Sequence, residues 1–172
     1  SAAVTVSNSV FSGNTATRSG GGIAIGAPAT VSINQSRIVG NTATNAYGGG
    51  VYIASPSKSG LTVASVLLQN SEIAENSAAL AGGGVNHVNS AASAQTSATE
   101  ATLALINSTV SGNTVTSSAA NAAAIAVAGN AGLSVDNSTI AYNKLTSAST
   151  GAAITRSVCT VSGASTSTRE PM

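Results

Sequence analysis

Charge is scarce in this 172-residue chain: six Lys or Arg and five Asp or Glu make 6% of the residues, against about a quarter in an ordinary soluble protein. So few ionisable groups leave little material for ion pairs, phosphate binding or acid–base chemistry. The net charge of +1 gives no electrostatic ground for nucleic acid or an anionic membrane as a partner. Aromatic residues make only 2%, with no Trp, so the usual platforms of a sugar-binding groove are thin. The single cysteine, Cys159, excludes an intramolecular disulfide framework and leaves the redox compartment open. No apolar run reaches the roughly 18 residues of a membrane helix, so membrane insertion by this segment is not expected.

What the chain does have is 42% apolar residues, enough to bury a core in one domain, and a recurring motif. The copies read Asn8-Ser-Val-Phe-Ser-Gly-Asn14, Gln35-Ser-Arg-Ile-Val-Gly-Asn41, Asn70-Ser-Glu-Ile-Ala-Glu-Asn76, Asn107-Ser-Thr-Val-Ser-Gly-Asn113 and Asn137-Ser-Thr-Ile-Ala-Tyr-Asn143. Their first residues lie 27, 35, 37 and 30 positions apart, a spacing typical of solenoids and arrays. The closing Asn is present in every copy.

Aligned on that Asn, apolar residues fall into columns. Val4, Val31, Val66, Leu103 and Leu133 form one, and Val6, Ile33, Leu68, Leu105 and Val135 another two residues later, a period that means strand. Phe11, Ile38, Ile73, Val110 and Ile140 start a second strand. Ile23, Val51, Val85, Ile125 and Ile154 start a third, continued by Ile25, Ile53 and Val127. Strands with so few inward positions cannot bury a meander, but stacking each on its counterpart makes the columns a continuous core. The expected fold is therefore all-β, a parallel β-helix or β-solenoid of about five coils with three short strands each. At about 4.8 Å per coil it makes a rod roughly 24 Å long. The coils start near residues 4, 31, 66, 103 and 133, with a partial sixth near 158, in one domain over residues 1–162. Residues 163–172 are expected to be a disordered tail or the start of a missing coil.

The constant column Asn14, Asn41, Asn76, Asn113 and Asn143 is expected at a bend, as a ladder bonded to the coils above and below, because Asn tolerates left-handed backbone and its amide both donates and accepts. The glycine triplets Gly20–Gly22, Gly48–Gly50 and Gly82–Gly84 precede the third strand and become Ala122–Ala124 and Gly151-Ala152-Ala153 in the last two copies. Small size therefore matters at all sites, and positive φ not at all of them. Ala propensity favours a helix over 117–128, but Ile125 and Val127 in the columns favour strand. Length varies at Pro56–Gly60, Asn89–Thr99 and Gly129–Gly132, which read as outward loops. The chain lacks an initiator Met and a signal peptide at its start, and is expected to be a piece of something longer.

The paired motif resembles that of right-handed parallel β-helix repeats in polymorphic membrane proteins and related autotransporter passenger domains of bacteria, in which Gly-Gly-Ala-[Ile/Leu/Val] alternates with Phe-x-x-Asn. The resemblance covers residues 4–155. Only Phe11-Ser-Gly-Asn14 keeps the Phe, and a third Gly stands where the family has Ala. It implies a right-handed coil, an extracellular or cell-surface location, and adhesion to a host or cell-surface glycan or protein.

Parallel β-helices also carry polysaccharide-acting enzymes, whose chemistry needs clustered carboxylates. The candidates are Glu72, Glu75 and His87, all in the third copy. Against them, strand alternation turns Glu72 outward, Glu75 takes a bend position held elsewhere by Gly or Tyr, and His87 falls in the Ile25–Ile53–Val127 column as a partly buried core histidine. No His, Cys or paired-Asp spacing supplies a metal set, and no cofactor is expected. Tyr52, with Tyr47 nearby, is a candidate glycan contact. A stack of hydroxyls, Thr15 and Thr17, Thr42 and Thr44, Ser77, Thr114 and Thr116, resembles the threonine ladders of ice-binding solenoids, with Lys144 and Leu145 breaking the last rung. Three readings follow: a non-enzymatic stalk, spacer or self-assembling module that stacks as a homo-oligomer or end-to-end fibre; a polysaccharide-acting enzyme or glycan-binding module; and an ice-binding surface.

Overall fold

The computed structural model describes residues 2–26, 29–55, 64–89, 101–117, 122–129, 131–146 and 152–157. They form five coils of four strands each. Coil one holds β1 (Ala2–Ser7), β2 (Val10–Ser12), β3 (Thr15–Ala16) and β4 (Ile23–Gly26); coil two holds β5 (Ala29–Asn34), β6 (Arg37–Val39), β7 (Thr42–Ala43) and β8 (Val51–Ser55). Coil three holds β9 (Ser65–Gln69), β10 (Glu72–Ala74), β11 (Ser77–Ala78) and β12 (Val85–Asn89). Coil four holds β13 (Ala101–Ile106), β14 (Thr109–Ser111), β15 (Thr114–Val115) and β16 (Ala122–Gly129), and coil five β17 (Ala131–Asp136), β18 (Thr139–Ala141), β19 (Lys144–Leu145) and β20 (Ala152–Ser157). Corresponding strands of successive coils pair in parallel, giving four five-stranded sheets and a right-handed parallel β-helix with no helix among the described residues.

Register follows the apolar columns. Val4 pairs with Val31, Val31 with Val66, Val66 with Leu103 and Leu103 with Leu133. Ile38 pairs with both Phe11 and Ile73, and Val51 with both Ile23 and Val85. Apart from Val4, which the first coil leaves 46% exposed and not inward as its column implies, these side chains form one core that runs the length of the coil stack, so the fold is stabilised coil against coil. The Ala-rich run is strand β16, because pairing with β12 places Ile125 on Val85 and Val127 on His87.

Two expectations change. The strand count per coil is four, not three, since the two residues after each ladder Asn are themselves a short strand, and these strands share a small core of Ala43, Ala78 and Val115, against which Leu145 packs. Of the three outward loops, the stretch 129–132 is mostly strand: β16 runs through Gly129 and β17 begins at Ala131, with Asn130 outside the described residues. Most of the other two, like Cys159, the partial sixth coil and residues 163–172, lie outside the described residues.

The glycine triplets have a division of labour. Gly20, Gly48 and Gly82 take φ of 79°, 66° and 63°, where L side chains are strained. The third glycine of each triplet instead makes room: a Cβ on Gly50 would lie 2.7 Å from the Gly84 carbonyl oxygen and 2.9 Å from the Asn76 amide nitrogen. Coil four accommodates three alanines here with an irregularity of register, since Ala122 pairs with Ala152 but Ile125 with Ile154.

Candidate functional site

Each ladder Asn lies between the second and third strands of its coil, and the inner three, Asn41, Asn76 and Asn113, each bond three coils at once. Asn41 donates its backbone N–H (2.9 Å) and Nδ2 (3.0 Å) to Asn76 Oδ1, and Nδ2 also donates to the Phe11 carbonyl at 2.9 Å. Asn76 repeats this towards Asn113 and Ile38, and Asn113 towards Asn143 and Ile73. Asn14 begins the series with two 3.0 Å bonds to Asn41 Oδ1. Asn41, Asn76 and Asn113 are fully buried, and their amides are satisfied on both sides, which is what buried amides require. The left-handed backbone falls elsewhere than expected: not on the ladder Asn but on the residue before it (Gly13, Gly40, Glu75, Gly112, Tyr142) and on Asn8, Gln35, Asn70, Asn107 and Asn137.

A second ladder escaped the sequence reading, although its serine is constant in the motif. Backbone N–H groups of Ser9, Ser36, Ser71 and Ser108 donate to the Oγ of Ser36, Ser71, Ser108 and Ser138 at 3.0–3.2 Å. Each hydroxyl in turn donates to the carbonyl two residues earlier, as Ser71 does to Gln69 at 2.7 Å.

The three candidate catalytic residues do not converge. Glu72 lies on the outer side of the second sheet, half exposed, and pairs with Arg37 of the coil before. Arg37 and Glu72 hold the same position in successive copies, the signal that could have found the pair. Glu75 is exposed at the bend with φ of 57°. His87 is inside: its side chain is 0% exposed, deeper than the partial burial expected of it, and neither ring nitrogen has a hydrogen-bond partner. Desolvation lowers its pKa to about 4, opposed by the backbone of Gly132, which lies near without completing a hydrogen bond. Two carboxylates outside and an imidazole in the core present no shared face to a substrate. Among the described residues, no three His, Cys, Asp or Glu side chains gather as metal ligands would.

The third sheet presents the hydroxyls. Thr15, Thr42, Ser77, Thr114 and Lys144 stack in register, and Thr17, Thr44, Ala79, Thr116 and Thr146 follow two residues on, tied coil to coil through the backbone N–H of each of the last four. The residue between the columns points inward, so Leu145 does not interrupt the outer surface. Tyr52 is half-buried on the outer side of β8, where it adjoins the buried Asn86 of β12, and Tyr47, 40% exposed, bridges to Ala81. Comparisons with protein-family models, with curated proteins and with solved structures find no match to this chain.

Proposed function

We propose that this chain is a non-enzymatic segment of a secreted or surface-exposed bacterial β-helix protein, acting as a stalk, spacer or self-assembling module. The observation that supports it is the polarity of the two ladders. Each of the first four coils donates through the same Asn and Ser positions to the coil that follows it. A further coil, from the same polypeptide or another copy, therefore meets a prepared acceptor at Asn14 Oδ1, in a head-to-tail geometry that extends without closing. The motif resemblance supports the surface location. Sedimentation and negative-stain microscopy over a concentration series test self-assembly: rods that lengthen with concentration are expected for a fibre module, and a constant monomer for a spacer. Cleavage of a polysaccharide that is lost in Glu75→Gln at unchanged stability overturns the non-enzymatic reading.

A second reading, ice binding, is favoured by one observation: the inward position of Leu145 leaves two outer columns of mostly threonine without a bulky apolar break. Thermal hysteresis abolished by Thr42→Tyr and Thr114→Tyr supports it, and no hysteresis in the parent chain dismisses it.

A further inference from the structure

We propose that the third coil carries an acid-sensitive opening point centred on His87, whose imidazole is held neutral inside the core and whose protonation loosens that coil from its neighbours. The position has apolar neighbours in its column: Ile25, Ile53, His87 and Val127 follow one another in register across the fourth sheet. A histidine there has nothing to gain from packing that Ile or Val would not supply better, and both of its ring nitrogens are buried without partners. Such a group is tolerated only uncharged, because an imidazolium needs hydration or an anion.

Among the described residues no anion is at hand. On β12 itself His87 is the only titratable residue. Of the strands packed against it, β8 offers Tyr52, which alternates to the other side of the sheet, and β16 offers none. β17 offers Asp136, which is exposed at the strand end. Arg156 of β20 shares the register column but is a cation. Glu72 and Glu75 lie on the outside of the coil. Among the described residues a proton arriving on the ring is therefore met by no carboxylate, only by the nearby backbone of Gly132, until the coil opens to water.

The sign follows from linkage. An unfolded or opened chain binds the proton below the ordinary histidine value of 6.5, whereas the closed coil resists it down to about 4. Stability is complete above 6.5 and is lost as pH falls between those values, with an unfolding constant raised on the order of 100-fold between pH 7 and pH 4.

His87 is the only histidine in the chain, so its ring signal in an NMR titration is unambiguous. The expected result on the intact chain is no titration near 6.5, with the ring protonating only as the coil opens; an ordinary titration near 6.5 in a chain that stays folded overturns the proposal. In denaturant unfolding at pH 7, 5.5 and 4.5, His87→Val is expected to lose the acid dependence that the parent shows beyond its carboxylates, while equal slopes in both chains overturn it. Amide exchange, corrected for intrinsic rates, locates the opening. Protection is expected to fall first in β12 and β16, and a uniform fall through β5 and β6 as well would refute a local opening point.

Discussion

Of the buried polar side chains in the third coil, Asn76 at its bend and His87 in its fourth sheet are equally deep, and their surroundings differ completely. The Asn76 amide accepts from the Asn41 backbone and side chain, and donates to Asn113 Oδ1 and to the Ile38 carbonyl. The imidazole of His87 completes no bond at all. Depth of burial is the same, so the difference lies in repetition. An Asn with an Asn above and below has its partners built by the repeat itself, whereas a histidine that occurs in one coil faces Ile53 of the coil before and Val127 of the coil after. In a solenoid, a buried polar group is stabilising when every coil shares it and costly when one coil has it alone.

Asn76→Ala breaks that comparison most severely. It leaves the Asn41 N–H and one hydrogen of Asn41 Nδ2 without an acceptor and takes a donor from the Ile38 carbonyl, each worth about 1–3 kcal/mol when buried, so a loss of about 3–5 kcal/mol is expected in denaturant unfolding. Asn14→Ala, at the more exposed first coil, is expected to cost about 1 kcal/mol. Equal losses at the two positions would mean that the ladder acts through backbone shape and not through its bonds.

Gly50→Ala attacks the same bend without touching an asparagine. Its Cβ would press on the Gly84 carbonyl at 2.7 Å and on Asn76 Nδ2 at 2.9 Å, and backbone cannot give way as a flexible side chain does. A loss of about 2–3 kcal/mol is expected, measured by thermal or denaturant unfolding. His87→Val moves in the other direction: at pH 7 it should stabilise by about 1–3 kcal/mol by removing two unpartnered buried nitrogens, unless the smaller side chain leaves a void that offsets the gain.

The columns were legible because strand period and repeat agree: all the inward positions from Val4 to Ile154 pair as their alignment implies. The fourth strand was not, since two residues such as Thr42-Ala43 are too short to show a period. The Arg37–Glu72 pair was hidden by the 35 residues between its members, although their equal position in the motif encodes it. The depth of His87 was written in its column, but the absence of any partner depends on what three neighbouring strands do not contain. That strand reaches into the stretch 129–132 reflects Ala131 joining the first sheet opposite Ala101.

The smallest effect sharpens the comparison between shared and solitary features at the bend before the ladder Asn. Coils one, two and four place Gly13, Gly40 and Gly112 there with φ of 63–66°, while coils three and five place Glu75 at 57° and Tyr142 at 56°. A side chain in this region costs about 1–2 kcal/mol, and glycine returns about 0.5–1 kcal/mol of that through the greater freedom of the unfolded chain. The first term is the larger, so Glu75→Gly and Tyr142→Gly should each stabilise by up to about 1 kcal/mol. Both side chains are exposed, which leaves no packing to lose. Gly40→Ala is the converse: nothing lies within 4 Å of the added Cβ, so any destabilisation by that change measures the backbone term alone. Should Gly40→Ala prove neutral, the strain at Glu75 is absorbed by the bend, and the glycines of the other coils reflect something other than backbone angle.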